Sequence, residues 1–274
     1  MVTMLLGSRL ARSRMARGVA LHVRGGTAVL LRNAVVHRSN LLLFLSGLVE
    51  PFLYLLSLGI GMGELVGRIP YGGGTVSYPV FVAPAMLAAA AMTGAVTEST
   101  YNFFAKLKFM KLYDSMIATP VTPLGIALGE LAWAILRGAV YAGFFVAVMT
   151  VMGLSPSWWV IAALPAAVLI GLAFAAAGLA FCTYLRSWQD FDYVTVGLFL
   201  LFLFSGTFAP LDAYPGWISA AVAATPLYHG VSLVRGLSTG AVSVGLLWHV
   251  AYLAALTVVG LAVTNRRVRR LLTP

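Results

Sequence analysis

Three charged residues stand where charge is expensive. Glu50, Glu130 and Arg137 fall inside long apolar runs, and an ion at the centre of a bilayer costs about 2.5–3.5 kcal/mol even on insertion-based scales. Such groups act as ion pairs between helices, as points along a translocation path, or as contacts to a transported molecule. Glu130 and Arg137 are seven residues apart, on one helix face and two turns from each other. Arg137 is the deeper and requires a partner, for which this reading offers Glu50 or Glu130 across the interior of the bundle. A proton relay would need a chain of His or Asp to extend it, and none follows.

Other chemistry is missing. No Gly-x4-Gly-Lys-Ser/Thr loop exists to cradle a nucleotide; Gly72–Gly74 is too short and lacks the lysine. There is no Gly-x-Ser-x-Gly elbow. His22, His37, His229 and His249 lack the spacing of a metal site, and the single Cys182 excludes an intrachain disulfide. No catalytic, metal or cofactor site is expected on this chain, so an energy source must come from a partner.

The elements that position these charges follow from composition. The chain is 61% hydrophobic and 9% charged, with mean hydropathy +0.94; soluble domains are about 25% charged. The sequence predicts an all-α integral membrane protein. A crossing needs roughly 20 apolar residues, and six apolar runs read as spans, the fifth of them short: Leu41–Met62, Tyr78–Val96, Leu124–Met152, Trp158–Phe181, Val194–Phe208 and Val244–Val263. Thr27–Arg38 reads as an amphipathic helix on the membrane surface. Residues 209–243, broken by Pro210, Pro215 and Pro226, read as two short re-entrant or interfacial helices. No cleaved signal peptide is expected. This divides the chain into a basic N-terminus (1–38), a six-helix transmembrane domain (39–264) and a basic tail (265–274).

Six spans put both termini on one side. Seven arginines before residue 39, Lys106, Lys108, Lys111, Arg186 and the four arginines at 266–270 fall there, against Arg68 and Arg235 on the other. The positive-inside rule makes the first side cytoplasmic. The net charge of +10 is thereby topological and calls for no nucleic acid. Tyr101–Pro123, between the second and third spans, is longer than a reversal of direction needs, since helix–helix connections run about 2–8 residues. It reads as a basic amphipathic loop helix, stopped by Thr119–Pro120 and Thr122–Pro123, and as a surface that a partner touches. Phe199, Phe202 and Phe208 are candidates for lining an apolar conduit. Gly125/Gly129 and Gly171/Ala175 are small-residue spacings that let helices approach closely.

Taken in order, several stretches resemble the permease of type-2 ABC exporters, in the branch of nodulation-factor (lipo-oligosaccharide) and daunorubicin-type drug exporters. They are Val49–Leu55 with Gly59–Gly63, Ser77–Met86 (SYPVFVAPAM), Lys111–Pro120 (KLYDSMIATP), Gly129–Trp133, Phe204–Pro210 (FSGTFAP), and Thr225–His229 through Leu233–Gly236. The resemblance covers about residues 27–270. It implies six spans, an N-terminal interfacial helix and two short helices returning into the outer leaflet. It also implies a coupling helix at about Lys108–Ala118 that docks on an ATPase subunit, formed by Lys108, Lys111, Leu112, Tyr113, Asp114 and Met116, with Thr119–Pro120 fixing its exit. Lys111, Tyr113 and Asp114 would touch the ATPase. The implied unit is two permeases, identical or related, with two ATPase chains that hold ATP and magnesium, in the cytoplasmic membrane of a bacterium. It would export a drug, lipid or glycolipid. The alternative is an ion-gradient-driven transporter or channel built on Glu50, Glu130 and Arg137. A membrane enzyme would need clustered acids, and the eight acidic residues are scattered.

Overall fold

The computed structural model describes residues 24–36, 49 and 52–272. Helix α1 (residues 24–36) precedes a helical stretch over 52–60 that ends in π-helical turns at Leu55–Ile60. A short helix, Gly63–Val66, leads into the hairpin of β1 (Arg68–Tyr71) and β2 (Gly74–Ser77). Then follow α2 (Tyr78–Phe109), α3 (Leu112–Ile117), α4 (Pro123–Val151), α5 (Val160–Cys182), α6 (Phe191–Leu203), α7 (Gly216–Ala224), α8 (Pro226–Thr239) and α9 (Leu246–Leu272). Among the described residues, α2, α4, α5 and α9 are long and apolar enough to cross a membrane; α7 and α8 form a pair bent by 84°.

Helix α5 is the axis of the bundle. Its alanines and glycines leave no side chain in the way, so α2, α4, α8 and α9 all pack on it. Gly171 lies under Ala91 and Ala95 of α2. On α9, a Cβ at Gly260 would come within 2.6 Å of the Ala176 backbone, so the two helices meet backbone to backbone. Here small residues do what large apolar ones do in water: lipid competes for any greasy surface, and close approach is what favours helix over lipid.

Several expectations change. The first apolar run lies mostly outside the described residues, Glu50 included; its far end is the 52–60 helix. The glycine-rich segment 64–76, expected as a loop, holds a small antiparallel hairpin with Arg68 opposite Ser77 and Tyr71 opposite Gly74, in an otherwise helical fold. Its turn residues Gly72 and Gly73 have φ of 62° and 80°. Two positive φ values make a type I′ turn, which suits the strand twist and which glycine adopts without strain. Helix α2 does not stop near Val96 but continues to Phe109. Helix α6 ends at Leu203, after 13 residues; at 1.5 Å per residue that is about 20 Å, short of a full crossing.

Arg235, on α8, explains how the chain turns after α6. It is buried, and its guanidinium donates to the carbonyls of Phe81 (2.9 Å) and Gly206 (2.9 Å) while lying 3.7 Å from the centre of the Phe81 ring. Gly206 has φ +70°, which turns its carbonyl inward. One side chain thus ties α8, the start of α2 and the Phe204–Pro210 turn together.

Gly260→Val should lower the melting temperature of the detergent-purified protein, with overpacking worth about 1–3 kcal/mol or more. Gly138→Ala, where an added Cβ meets nothing within 4 Å, should leave it unchanged or slightly raised. Equal melting of the two variants would remove the close α5–α9 crossing.

Candidate functional site

The basic end of the bundle is organised around one carboxylate. Glu130, near the start of α4, is 4% exposed. Its Oε2 accepts from Lys106 Nζ (2.6 Å) and from Asn33 Nδ2 (3.0 Å); its Oε1 accepts from the Tyr113 hydroxyl (2.9 Å). Asn33 Oδ1 in turn accepts from Lys106 Nζ (3.3 Å). The four residues belong to α4, α2, α1 and α3, so four elements at this end hold the same group. Burying an ion is tolerable only when it is paired and its lone pairs are filled, and three donors do so here. Burial and the adjacent Glu130 charge raise the Tyr113 phenol well above its ordinary range; it stays protonated and remains a donor.

Glycine makes the convergence possible. A Cβ at Gly129 would lie 2.5 Å from Val29 Cβ and 2.6 Å from the Gly26 carbonyl. Helix α1 therefore rests on α4 through Gly26, Val29 and Asn33, and leaves Leu31, Val35 and Val36 exposed. Helix α3 is short and follows Lys111, which has φ 47°. Such a left-handed non-glycine residue costs of order 1 kcal/mol, and it folds α3 back under the bundle. Tyr113 is the buried anchor, 1% exposed and 5.1 Å from Phe103 by ring centres. Thr122 caps α4 by accepting from Gly125 N (3.1 Å).

Arg137 pairs with Glu98, which the sequence did not single out, and not with Glu130. Its Nη1 meets Glu98 Oε2 at 2.6 Å, and its Nε donates to the Tyr141 hydroxyl (2.9 Å). Glu130 pairs with Lys106 instead, and Glu50 lies outside the described residues. Two antiparallel helices thereby carry two ion pairs of opposite sense: Glu98 and Lys106 on α2, Arg137 and Glu130 on α4. The two partners on α4 are seven residues apart and in register. Eight residues separate Glu98 from Lys106, which on a regular helix leaves them about 80° out of line. The π turns at Glu98–Asn102 and Ala105–Phe109 correct this, because a π turn takes in an extra residue and makes eight positions act as seven. Gly178 of α5 leaves room for the first bulge: a Cβ there would overlap Ser99 Oγ.

On the far side of Arg137 a cavity of about 620 Å³ opens between α2, α4, α6 and the 52–60 helix. Thr97, Tyr101, Arg137, Tyr141 and Thr195 line it toward the basic end, with Tyr101 and Thr195 hydrogen-bonded at 3.0 Å. Met86, Leu198, Phe199 and Phe202 line its other reach. Phe208 packs edge-on to Phe202, 5.2 Å between ring centres, behind this wall.

Of the residues expected on the coupling helix, Lys108, Lys111, Asp114, Thr119 and Pro120 are exposed, Leu112 and Met116 are half-buried, and Tyr113 points inward. Lys108 sits on the π-helical end of α2, not on α3. The sequence does not single out Asn33 or Glu98, and it places Lys106 in the loop after the second span. It also missed the aromatic cluster that joins the α5–α6 connection to the end of α2. There Trp188 stacks on Phe109 (5.3 Å, 24°) and packs edge-on to Phe104.

Comparison with known proteins agrees in direction. The family model for ABC-2 type transporters matches residues 27–238. Nodulation protein J of Rhizobium leguminosarum bv. viciae is 32% identical over 260 residues, 92% of this chain and 98% of that protein. Nodulation protein J of Rhizobium leguminosarum bv. trifolii is 32% identical over 245 residues, 89% and 92%. The probable doxorubicin resistance ABC transporter permease protein DrrC of Mycobacterium tuberculosis is 24% identical over 241 residues, 81% of each chain.

Glu130→Gln should destabilise the purified protein by about 3–5 kcal/mol, since it strands a buried lysine. Adding Lys106→Met should restore part of the loss. For the second pair, Glu98→Gln and Arg137→Leu together should cost less than the sum of the single changes. Strictly additive losses in both cycles, read from unfolding in detergent, would mean that neither pair is coupled.

Proposed function

Because the chain belongs to the ABC-2 type transporter family and is the transmembrane permease subunit of an ABC exporter, we propose that it exports an amphipathic cargo using ATP hydrolysed with magnesium on a separate ATPase subunit. The observation that carries this is the mounting of α3. This helix presents Lys111, Asp114, Thr119 and Pro120 to solvent and is bolted from beneath to Glu130 through Tyr113. A partner that grips the exposed side moves α3, and α3 cannot move without pulling on the carboxylate that α1, α2 and α4 share. In this reading Asp114 and the lysines Lys108 and Lys111 meet the ATPase, while Tyr113 transmits the motion inward.

The functional unit in this proposal is two permeases with two ATPases in the bacterial cytoplasmic membrane, the basic end facing the cytoplasm. Helices α7 and α8 return into the outer leaflet. The exposed apolar residues Leu53, Tyr54, Leu56, Val196 and Leu200, beside the cavity mouth, face the second copy. Phe199 and Phe202 line the path for cargo, with Phe208 behind them. The doxorubicin resistance named for one relative fits a cargo of this amphipathic kind.

Asp114→Lys should reduce co-purification of the ATPase from the native host by about tenfold or more, through like-charge juxtaposition at the interface. Membrane insertion and a monodisperse elution profile should persist. An Asp114→Lys permease that recovers its ATPase at the normal ratio and transports normally would remove α3 as the coupling element.

A further inference from the structure

Helix α9 ends in arginines that take no part in either ion pair of the bundle. We propose that Arg266, Arg267 and Arg270, with Tyr184, form a binding site for an anionic phospholipid in the leaflet at the basic end. This goes beyond the permease reading and needs only that α9 spans the membrane. Arg267 is the fixed member. Its Nη2 donates to the Thr183 carbonyl at the end of α5 (3.3 Å), and its guanidinium carbon lies 4.2 Å from the centre of the Tyr184 ring. A guanidinium carries five N–H donors. The Nε of Arg267 is buried and has no hydrogen-bond partner among the described residues, and an empty buried donor costs about 1–3 kcal/mol. This end of α9 is short of acceptors, and a guanidinium held in place by a carbonyl and a ring is pre-oriented for phosphate oxygens.

Among the described residues, none of Arg266, Arg267 and Arg270 is in an ion pair, and Glu50 is the single acidic side chain outside them. On the α5–α6 connection, Asp190 is turned to the main-chain N–H groups of Arg186 (2.7 Å) and Ser187 (3.1 Å). The occupant is a lipid and not a free anion because of what leads to the arginines. Ala255, Val258, Val259 and Ala262 are exposed on α9, and the exposed Arg266 and Arg270 continue the same face at i, i+3, i+4 spacing. That face lies on the apolar span Leu246–Val268, so an acyl chain laid along it brings its headgroup to the two arginines. Tyr184, exposed beside Arg267, is of the type that sits at headgroup depth. Arginines clustered just past a span attract anionic headgroups, each adding to the affinity. A soluble protein would meet them only at the edge of a lipid-covered surface.

The test titrates the detergent-purified permease with phosphatidylglycerol or with phosphatidylcholine and counts bound lipid by native mass spectrometry. Phosphatidylglycerol should bind saturably, about tenfold or more tightly than phosphatidylcholine. Arg266→Gln combined with Arg270→Gln should bring the two lipids to parity. The melting temperature of the lipid-free protein should not change, since both side chains are exposed. Arg68→Gln, at an exposed arginine of the opposite end, should leave the preference intact. Equal binding of the two lipids to the unaltered protein would overturn the site. So would a preference that survives the double substitution, or one that Arg68→Gln removes as fully. Inorganic phosphate that raises the melting temperature as much as phosphatidylglycerol does would give the arginines to a free anion and overturn the lipid. Loss of the co-purifying ATPase from the double variant, with its lipid preference kept, would make the cluster a protein contact instead.

Discussion

A carboxylate buried at the edge of a membrane must be surrounded by donors, and that requirement shapes the basic end of this protein. Glu130 draws Lys106 from α2, Asn33 from α1 and Tyr113 from α3. Each contact is modest alone. Together they are hard to lose one at a time, because removing a donor strands what is left in a low-dielectric site. The four elements that meet at Glu130 are therefore tied together. Three of them are too short, or too loosely apolar, to hold their places by packing alone: α1, the π-helical end of α2, and α3.

The same constraint reaches deeper along α2. Two ion pairs of opposite sense link it to α4, and their spacing agrees only because the π turns change the register. Breaks in regular hydrogen bonding are usually weak points. Here Thr100 Oγ1 donates to the Val96 carbonyl at 2.7 Å, and Gly178 makes room for the bulge. The irregular stretch lies between the network around Glu130 and the wall of the cavity. In the proposed reading this is the route by which a pull on α3 reaches the cargo space: α2 carries Lys106 at one end and Thr97 and Tyr101 on the cavity.

The opposite end is held by different means. Arg235 finds no carboxylate among the described residues and is satisfied by main-chain carbonyls and an aromatic face. A cation bound by backbone oxygens fixes backbone, which is what the bent segment between α6 and α7 needs. The two ends thus differ in kind. Side-chain pairs that can exchange partners lie where a motor is proposed to act, and a main-chain staple lies where the chain folds back on itself.

The amino-acid sequence alone determined the solvent of this protein, its excess of positive charge on one side, the long apolar runs of α2, α4, α5 and α9, and the family. These are written in local composition and in ordered short stretches, so one window at a time reveals them. It also marked Glu130 and Arg137 as charges in need of partners, and the small-residue positions Gly129 and Gly171 where helices touch. Tertiary structure alone decided which partners they took. Lys106 read as a loop residue because hydropathy falls after Val96, and Glu98 drew no notice at that boundary, whereas the helix continues through π turns for which Gly178 leaves room. The hairpin at 68–77 escaped notice because four-residue strands carry little pattern and the glycines between them read as loop. Tyr113 turned from an expected contact surface into a buried anchor, since its direction depends on the left-handed joint at Lys111 and on a carboxylate seventeen residues away. Pairing across helices depends on register, and register is set by how backbones pack, which no single stretch of chain records.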